Sequence, residues 1–123
     1  MKVTITAWLL LTSGCVLAAP QPEKPTAASV PEIFTIASIA YRDFAKQLND
    51  SEQKWLARGQ SESETQRYMF DIRNYDITLF SYQDTVHVTF TLRPLRGTQS
   101  FGGVTRYVLD RKTGAILEHT GEK

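Results

Sequence analysis

The sequence predicts an α+β domain in which an N-terminal amphipathic helix, with a short second helix after it, packs on a curved antiparallel sheet of about four strands. Three observations predict this fold. Apolar residues recur at spacings of three and four from residue 33 to 48, they alternate with polar residues from 75 to 92, and a glycine-containing turn divides residues 104–119 into two further segments. With 123 residues, of which 41% are hydrophobic, the chain suits one small globular domain.

The first helix is predicted to begin at a capping box. Ser29 can accept a hydrogen bond from the third helical N–H while Glu32 reaches back, and Pro31 is tolerated in the first turn. An apolar stripe follows over four or five turns, and this stripe must lie against another element. It consists of Ile33, Ile36 or Ala37, Ala40, Tyr41, Phe44 and Leu48.

A second, short helix is predicted from Ser51 to Arg58. Asp50 is its candidate N-cap, and Gly59 is expected to end it. Residues 60–65 are polar and predict a loop, with a helical turn from Ser61 as the alternative.

Two half-buried strands are predicted to form a hairpin around Gln83-Asp84. The expected pairs are Tyr75 with Leu92, Ile77 with Phe90 and Leu79 with Val88. This register collects the apolar side chains on one face, and a slip of one residue would scatter them. The face that carries Ile77, Leu79, Val88 and Phe90 is therefore expected to form the core together with the helix stripe.

A second hairpin is predicted after a loop at residues 94–103, which contains three glycines. Its strands are expected at Val104–Asp110 and Ala115–His119, with a turn at residues 111–114. Gly114 is expected to supply the positive φ that this turn requires.

Residues 1–18 are interpreted as a signal peptide. Lys2 gives the positive start, and the apolar stretch after it has the length of a signal-peptide core and is too short for a comfortable membrane span. Cleavage is expected after Ala18 or the residue following it. Alternatively, Leu11–Cys15 resembles a bacterial lipobox, and in that case the chain is lipidated at Cys15.

Residues 19–28 have the composition of an extended tether, with three prolines. The leader and the tether together predict an exported protein, either periplasmic or anchored as a lipoprotein in a bacterial envelope. The remaining residues, 29–123, are expected to form the single domain.

The charge and cysteine content exclude several classes of function. Without residues 1–18, the chain has 13 basic and 13 acidic side chains and no cysteine. It therefore has no excess of basic residues that would favour binding to nucleic acid. Its only expected membrane attachment is the possible lipid at Cys15. Cysteine nucleophiles, zinc–cysteine sites and disulfides are excluded.

Three segments resemble small exported proteins of the cystatin-like and NTF2-like group, including bacterial NTF2-fold immunity proteins. They are residues 75–80, 86–92 and 102–117. Residues 107–117 also resemble the strand-turn-strand of PepSY-type domains, in which an Asp…Thr-Gly turn recurs because the hairpin requires it. The resemblance implies a binding or inhibitory module. The alternatives that it implies are a small-ligand enzyme of the NTF2-like type and a PepSY-like protease-modulating envelope protein.

Few residues could support catalysis. His87 and His119 are the only histidines, they lack metal-ligand spacing, and there is no Gly-x-Ser-x-Gly elbow. Asp76 and His87 share one face of the predicted sheet, opposite the apolar core, and they are the candidate pocket residues of the enzymatic alternative. We therefore expect no enzyme, no cofactor and no metal site.

The candidate partner-binding residues lie in the 94–103 loop and on the open face of the sheet. Arg93 and Arg96 are suitable interface anchors, Phe101 is an apolar side chain in the loop, and Phe80 lies among threonines on the face. We therefore expect a non-enzymatic protein-binding module of the immunity or inhibitor kind, with another envelope or secreted protein as its partner.

Overall fold

The computed structural model describes residues 30–97 and 103–122. The predicted signal peptide with Cys15, the tether, Ser29 and Phe101 lie outside the described residues. The fold is α+β, as predicted, with two helices packed on a four-stranded antiparallel sheet that is not closed. Over the described ranges, no helix has both the length and the apolar character that crossing a bilayer requires.

Helix α1 spans Val30–Ala57 without a break, so the prediction of a separate helix from Ser51 to Arg58 is wrong. Asp50, the expected N-cap of that second helix, lies inside α1 and accepts a 2.7 Å hydrogen bond from Lys46 Nζ. A pair of opposite charges four residues apart favours a continuous helix. The helix ends just before Gly59, as predicted, and the φ angle of this glycine is +72°.

The short second helix, α2, lies later in the chain, at Glu64–Phe70. Its capping box joins Ser63 and Gln66: the Ser63 Oγ accepts from the Gln66 N–H at 3.3 Å, and the Ser63 N–H donates to Gln66 Oε1 at 2.9 Å. Residues 60–63 therefore form a loop, as predicted, the loop ends earlier than predicted, and the alternative helical turn from Ser61 is wrong. A 3₁₀ turn at Ile72–Asn74 leads into the sheet.

The four strands lie in the order in which they occur in the chain. They are β1 (Tyr75–Tyr82), β2 (Thr85–Leu92), β3 (Val104–Asp110) and β4 (Ile116–Glu122). The predicted register of the first hairpin is confirmed, with Tyr75 opposite Leu92, Ile77 opposite Phe90 and Leu79 opposite Val88. Strand β4 extends to Glu122, past its predicted end at His119.

Helix α1 lies over β2 and β3 on one face of the sheet, which we call the inner face. The expectation that Ile77 belongs to the core is wrong, since its side chain is 46% exposed although its partner Phe90 is fully buried. Helix α1 contacts β1 at its start, where Phe44 packs edge-on against Tyr75, and it leaves Ile77 half exposed. The buried core consists of Ile36, Ala37, Ala40, Phe44, Val86, Val88, Phe90, Leu92, Tyr107 and Leu109.

The turn between β3 and β4 brings Gly114 against α1. Its φ is +72°, as predicted, and a Cβ at this position would lie 2.5 Å from Ile39 Cδ1. The Asp110 carboxylate accepts hydrogen bonds from the backbone N–H groups of Thr113 and Lys112, and these bonds hold the pKa of Asp110 below its ordinary value. The positive φ of the turn thus favours glycine at position 114, and any larger residue would also displace the end of the Ile39 side chain.

Candidate functional site

The face of the sheet turned away from α1, the outer face, carries the predicted aromatic residue and a histidine. Phe80 and His87 are cross-strand partners whose rings stack with centroids 4.4 Å apart and planes 10° apart. The His87 Nε2 also lies 3.0 Å from Thr85 Oγ1. A depression of about 520 Å³ adjoins the pair and is lined on β3 and β4 by Arg106 and Glu118.

Asp76 also lies on the outer face, but apart from His87. Its partner on β2 is Thr91, four residues along from His87, which corresponds to roughly 13 Å along a strand. Its carboxylate instead lies 3.7 Å from Arg93 Nε in an exposed ion pair. The two candidate residues of the enzymatic alternative therefore share a face but not a pocket.

Arg93, at the end of β2, is hydrogen-bonded to the turn that precedes β1. Its guanidinium donates to the carbonyl oxygens of Arg73 and Asn74, and its backbone N–H donates to the same Asn74 oxygen at 2.9 Å. Arg96 is exposed in the turn that follows. Arg93 thus has a role within its own chain, whereas Phe80 and Arg96 are exposed.

Strand β1 is an edge of the sheet, and it carries apolar side chains on both of its faces. Strand β2 lies on one side of it, and no other described strand lies on its free side. Ile77 on the inner face is 46% exposed, and Phe80 and Tyr82 on the outer face are 52% and 61% exposed. The strand contains one charged residue, Asp76, and neither proline nor lysine. Apart from Asp76, it therefore lacks the usual features that prevent an edge from pairing with another strand.

Strand β4, at the opposite edge, is less regular. A register shift at Val108/Leu109 interrupts its pairing with β3. A bulge of this kind disfavours addition of a further strand. Of the two edges, β1 is the one whose pairing with its neighbour runs without interruption.

A groove of about 730 Å³ lies between the C-terminal half of α1 and the inner face of the sheet. Its volume falls within the range of ligand pockets, and its walls are mainly apolar. Asp76 and His87, on the outer face, do not line it. The apolar walls include Phe44, Leu48, Trp55, Met69, Phe70, Tyr75 and Leu92.

A hydrogen-bonded cluster joins α1 to β3 beside this groove. The Tyr107 hydroxyl donates to Asp43 Oδ2 at 2.8 Å, and Gln47 Nε2 donates to the same oxygen at 2.7 Å. The His119 ring stacks on Tyr107 with centroids 4.5 Å apart. Burial, and then the Asp43 carboxylate, raises the pKa of Tyr107 far above its ordinary value, so the phenol stays a proton donor.

Sequence reasoning missed this cluster. Asp43 and Gln47 lie four residues apart beside the apolar stripe of α1, and this spacing could have indicated that they act on one face. The sequence does not indicate that Tyr107 lies beneath them, because that contact joins elements far apart in the chain. The cluster positions the helix, and its phenol proton is already donated to Asp43.

No protein-family model matches the chain, and comparisons with curated proteins and with solved structures give no match. The resemblance to cystatin-like, NTF2-like and PepSY-type proteins therefore stays a prediction. Among the residues that the structure describes, no group of three or more His, Cys, Asp or Glu side chains could hold a metal ion.

Proposed function

We propose that this protein is an exported, non-enzymatic protein-binding module of the immunity or inhibitor kind, and that its partner is another envelope or secreted protein. The observation that carries the proposal is the open edge strand β1, with exposed apolar side chains on both faces. Such an edge is a template on which another protein can add a strand.

The backbone of β1 offers hydrogen bonds to a partner at alternate residues. The first hairpin has a two-residue loop that closes on the pair Tyr82 and Thr85. In an antiparallel ladder, residues that are hydrogen-bonded to the neighbouring strand alternate with residues that are not. The even-numbered residues of β1 are therefore the ones that bond to β2. The N–H and C=O groups of Ile77, Leu79 and Ser81 face the open edge, where a partner strand gains main-chain hydrogen bonds.

The side chains around this edge supply specificity. Phe80 and Tyr82 give the outer side of the edge two exposed aromatic rings, and Ile77 gives the inner side an aliphatic contact. Aromatic residues are enriched among those that contribute most to binding energy. A partner strand with apolar residues at alternate positions matches this arrangement.

The envelope location is supported by the leader-like residues 1–18 and by the tether at residues 19–28. The immunity or inhibitor role is supported by the resemblance of the three late segments, which implies a binding or inhibitory module.

The test compares two edge variants of the full-length protein, carrying a C-terminal tag, in their retention of a partner from envelope extract. Ile77→Lys places a charge on the open edge, and Leu117→Lys places the same charge on β4, where the side chain is 58% exposed. Because both positions are exposed, both variants are expected to keep the fold. We expect a stoichiometric partner with the wild type and Leu117→Lys, and at least tenfold less of it with Ile77→Lys.

Phe80→Ala, which removes one of the exposed aromatic rings, is expected to lower the affinity for the same purified partner about tenfold, as at an energetically important interface residue. The proposal fails if the wild type retains no stoichiometric partner. It also fails if Ile77→Lys retains the partner as well as the wild type does.

A further inference from the structure

The groove between α1 and the inner face carries positive charge. Lys54 on α1 and Arg58, which follows the helix, line it, and no Asp or Glu is among its described lining residues. None of the ion pairs found in the described ranges uses Lys54 or Arg58, whereas Lys46 on the same helix is paired with Asp50. The charge of the groove is therefore complementary to an anion.

Trp55, which also lines the groove, has a hydrogen-bond donor without a partner. Its indole Nε1 is buried and has no acceptor within the described part of the chain. Buried indole N–H groups usually have an acceptor, because leaving one unpaired is costly. The side chain of Trp55 lies in the wall of the groove, so its indole resonance reports on what the groove holds.

The rest of the groove is suited to an apolar body. Phe44, Leu48, Phe70 and Leu92 are among its walls. A volume of about 730 Å³ is typical of sites for organic molecules with an extended apolar part, and it exceeds the needs of an inorganic anion.

We propose that this groove binds a small amphipathic carboxylate, an acid with an apolar chain. The carboxylate lies at Lys54 and Arg58, and the chain lies along Phe44 and Leu48. The site is formed by α1 and the inner face, so it does not depend on the proposed binding of a protein at the edge of β1.

The first test follows the indole resonance of Trp55 by NMR in the full-length, ¹⁵N-labelled protein. The chain has two tryptophans, and Trp8→Phe assigns the resonances. Dodecanoate and dodecyltrimethylammonium are added below their micelle concentrations, because they share an apolar chain and differ in charge. We expect dodecanoate to shift the Trp55 resonance and to saturate at one molecule per protein, and the cation to bind at least tenfold more weakly. Equal affinities, or a Trp55 resonance that saturating dodecanoate does not move, overturn the proposal.

The second test changes the charge of the groove. The double substitution Lys54→Gln with Arg58→Gln is expected to lower the affinity for dodecanoate at least tenfold. Arg42→Gln with Lys46→Gln removes the same charge from the same helix outside the groove, and it should leave the affinity within twofold of the wild type. An equal loss in both double variants means that overall charge governs binding and overturns the proposal.

A third variant tests the position of the site without changing its charge. Ser51 lines the groove and is exposed, so Ser51→Trp fills the space while the fold is retained. We expect this variant to show the wild-type thermal unfolding and at least tenfold weaker binding of dodecanoate. Wild-type affinity in Ser51→Trp places the ligand elsewhere and overturns the proposal.

Discussion

The hydroxyl of Tyr107 donates a 2.8 Å hydrogen bond to Asp43 Oδ2, 64 residues away in the sequence. Gln47 donates to the same carboxylate oxygen, so two residues of α1 and one of β3 share a single cluster. The Tyr107 ring is buried in the core and packs edge-on against Phe90. The bond therefore fixes the position of α1 over β3, next to the groove.

Tyr107→Phe removes this hydroxyl and keeps the ring. We expect the free energy of unfolding to fall by about 1–2 kcal/mol, because Asp43 loses a donor in a partly buried site. Urea unfolding measures the change. Tyr82→Phe is the control, because Tyr82 is 61% exposed and its substitution should change stability by less than about 0.5 kcal/mol. Equal losses in the two variants would contradict the role given to the Asp43 bond.

The raised pKa of Tyr107 predicts a loss of stability at alkaline pH. The phenol ionises less readily in the folded state than in the unfolded state, where its pKa is close to the ordinary 10.0. The contribution of Tyr107 to stability is thus fully present below pH 10, and it is lost as the pH rises toward the pKa of the phenol in the folded state. Urea unfolding between pH 8 and about pH 11 should show a steeper decline for the wild type than for Tyr107→Phe. Parallel declines would show that Tyr107 does not titrate in this way.

Gly114→Ala is expected to destabilise the protein more than Gly59→Ala. Both glycines have a φ of +72°, so both substitutions have the same backbone cost of about 1 kcal/mol. Only at position 114 does the new Cβ meet another atom, Ile39 Cδ1, and turning this flexible side chain away from its preferred rotamer adds about 0.5–1.5 kcal/mol. Denaturant unfolding measures both losses, and Ile39→Ala should remove the extra cost of Gly114→Ala. If the two glycine variants lose the same stability, α1 does not pack on the turn.

The position of α1 predicts that two cross-strand partners on the inner face, Phe90 and Ile77, contribute unequally to the free energy of unfolding. Phe90→Ala should lower the free energy of unfolding by about 3–5 kcal/mol, because Phe90 is fully buried beneath the helix. Ile77→Ala should lower it by about 1 kcal/mol or less, since nearly half of that side chain is exposed. Thermal and urea unfolding of the two variants check this difference. Comparable losses would mean that α1 also covers Ile77.

The first hairpin was predictable because its determinants are local. Polar and apolar residues alternate on both sides of Gln83-Asp84, and only one register places Ile77, Leu79, Val88 and Phe90 on the same face. The alternation identifies the apolar face, but it does not indicate which strands a helix covers. For this reason the sequence led to the wrong expectation that Ile77 is in the core.

The other differences between the predictions and the structure also come from contacts between groups that are distant in the sequence or that compete for one partner. Asp50 has the side chain of an N-cap, yet in the fold it pairs with Lys46 and the helix continues through it. The cluster of Asp43 with Tyr107, and the groove beside it, depend on how α1 lies across β3 and β4. That placement is decided by packing of the whole core, which no local pattern specifies.

The proposed function places the partner protein at the open edge of β1. Hydrogen–deuterium exchange of the full-length protein, alone and with the purified partner, measures whether it binds there. We expect the partner to slow exchange at the amides of Ile77, Leu79 and Ser81, which face the open edge, and to leave the amides of β4 unchanged. Slower exchange along β4, with the rate unchanged in β1, would contradict the claim.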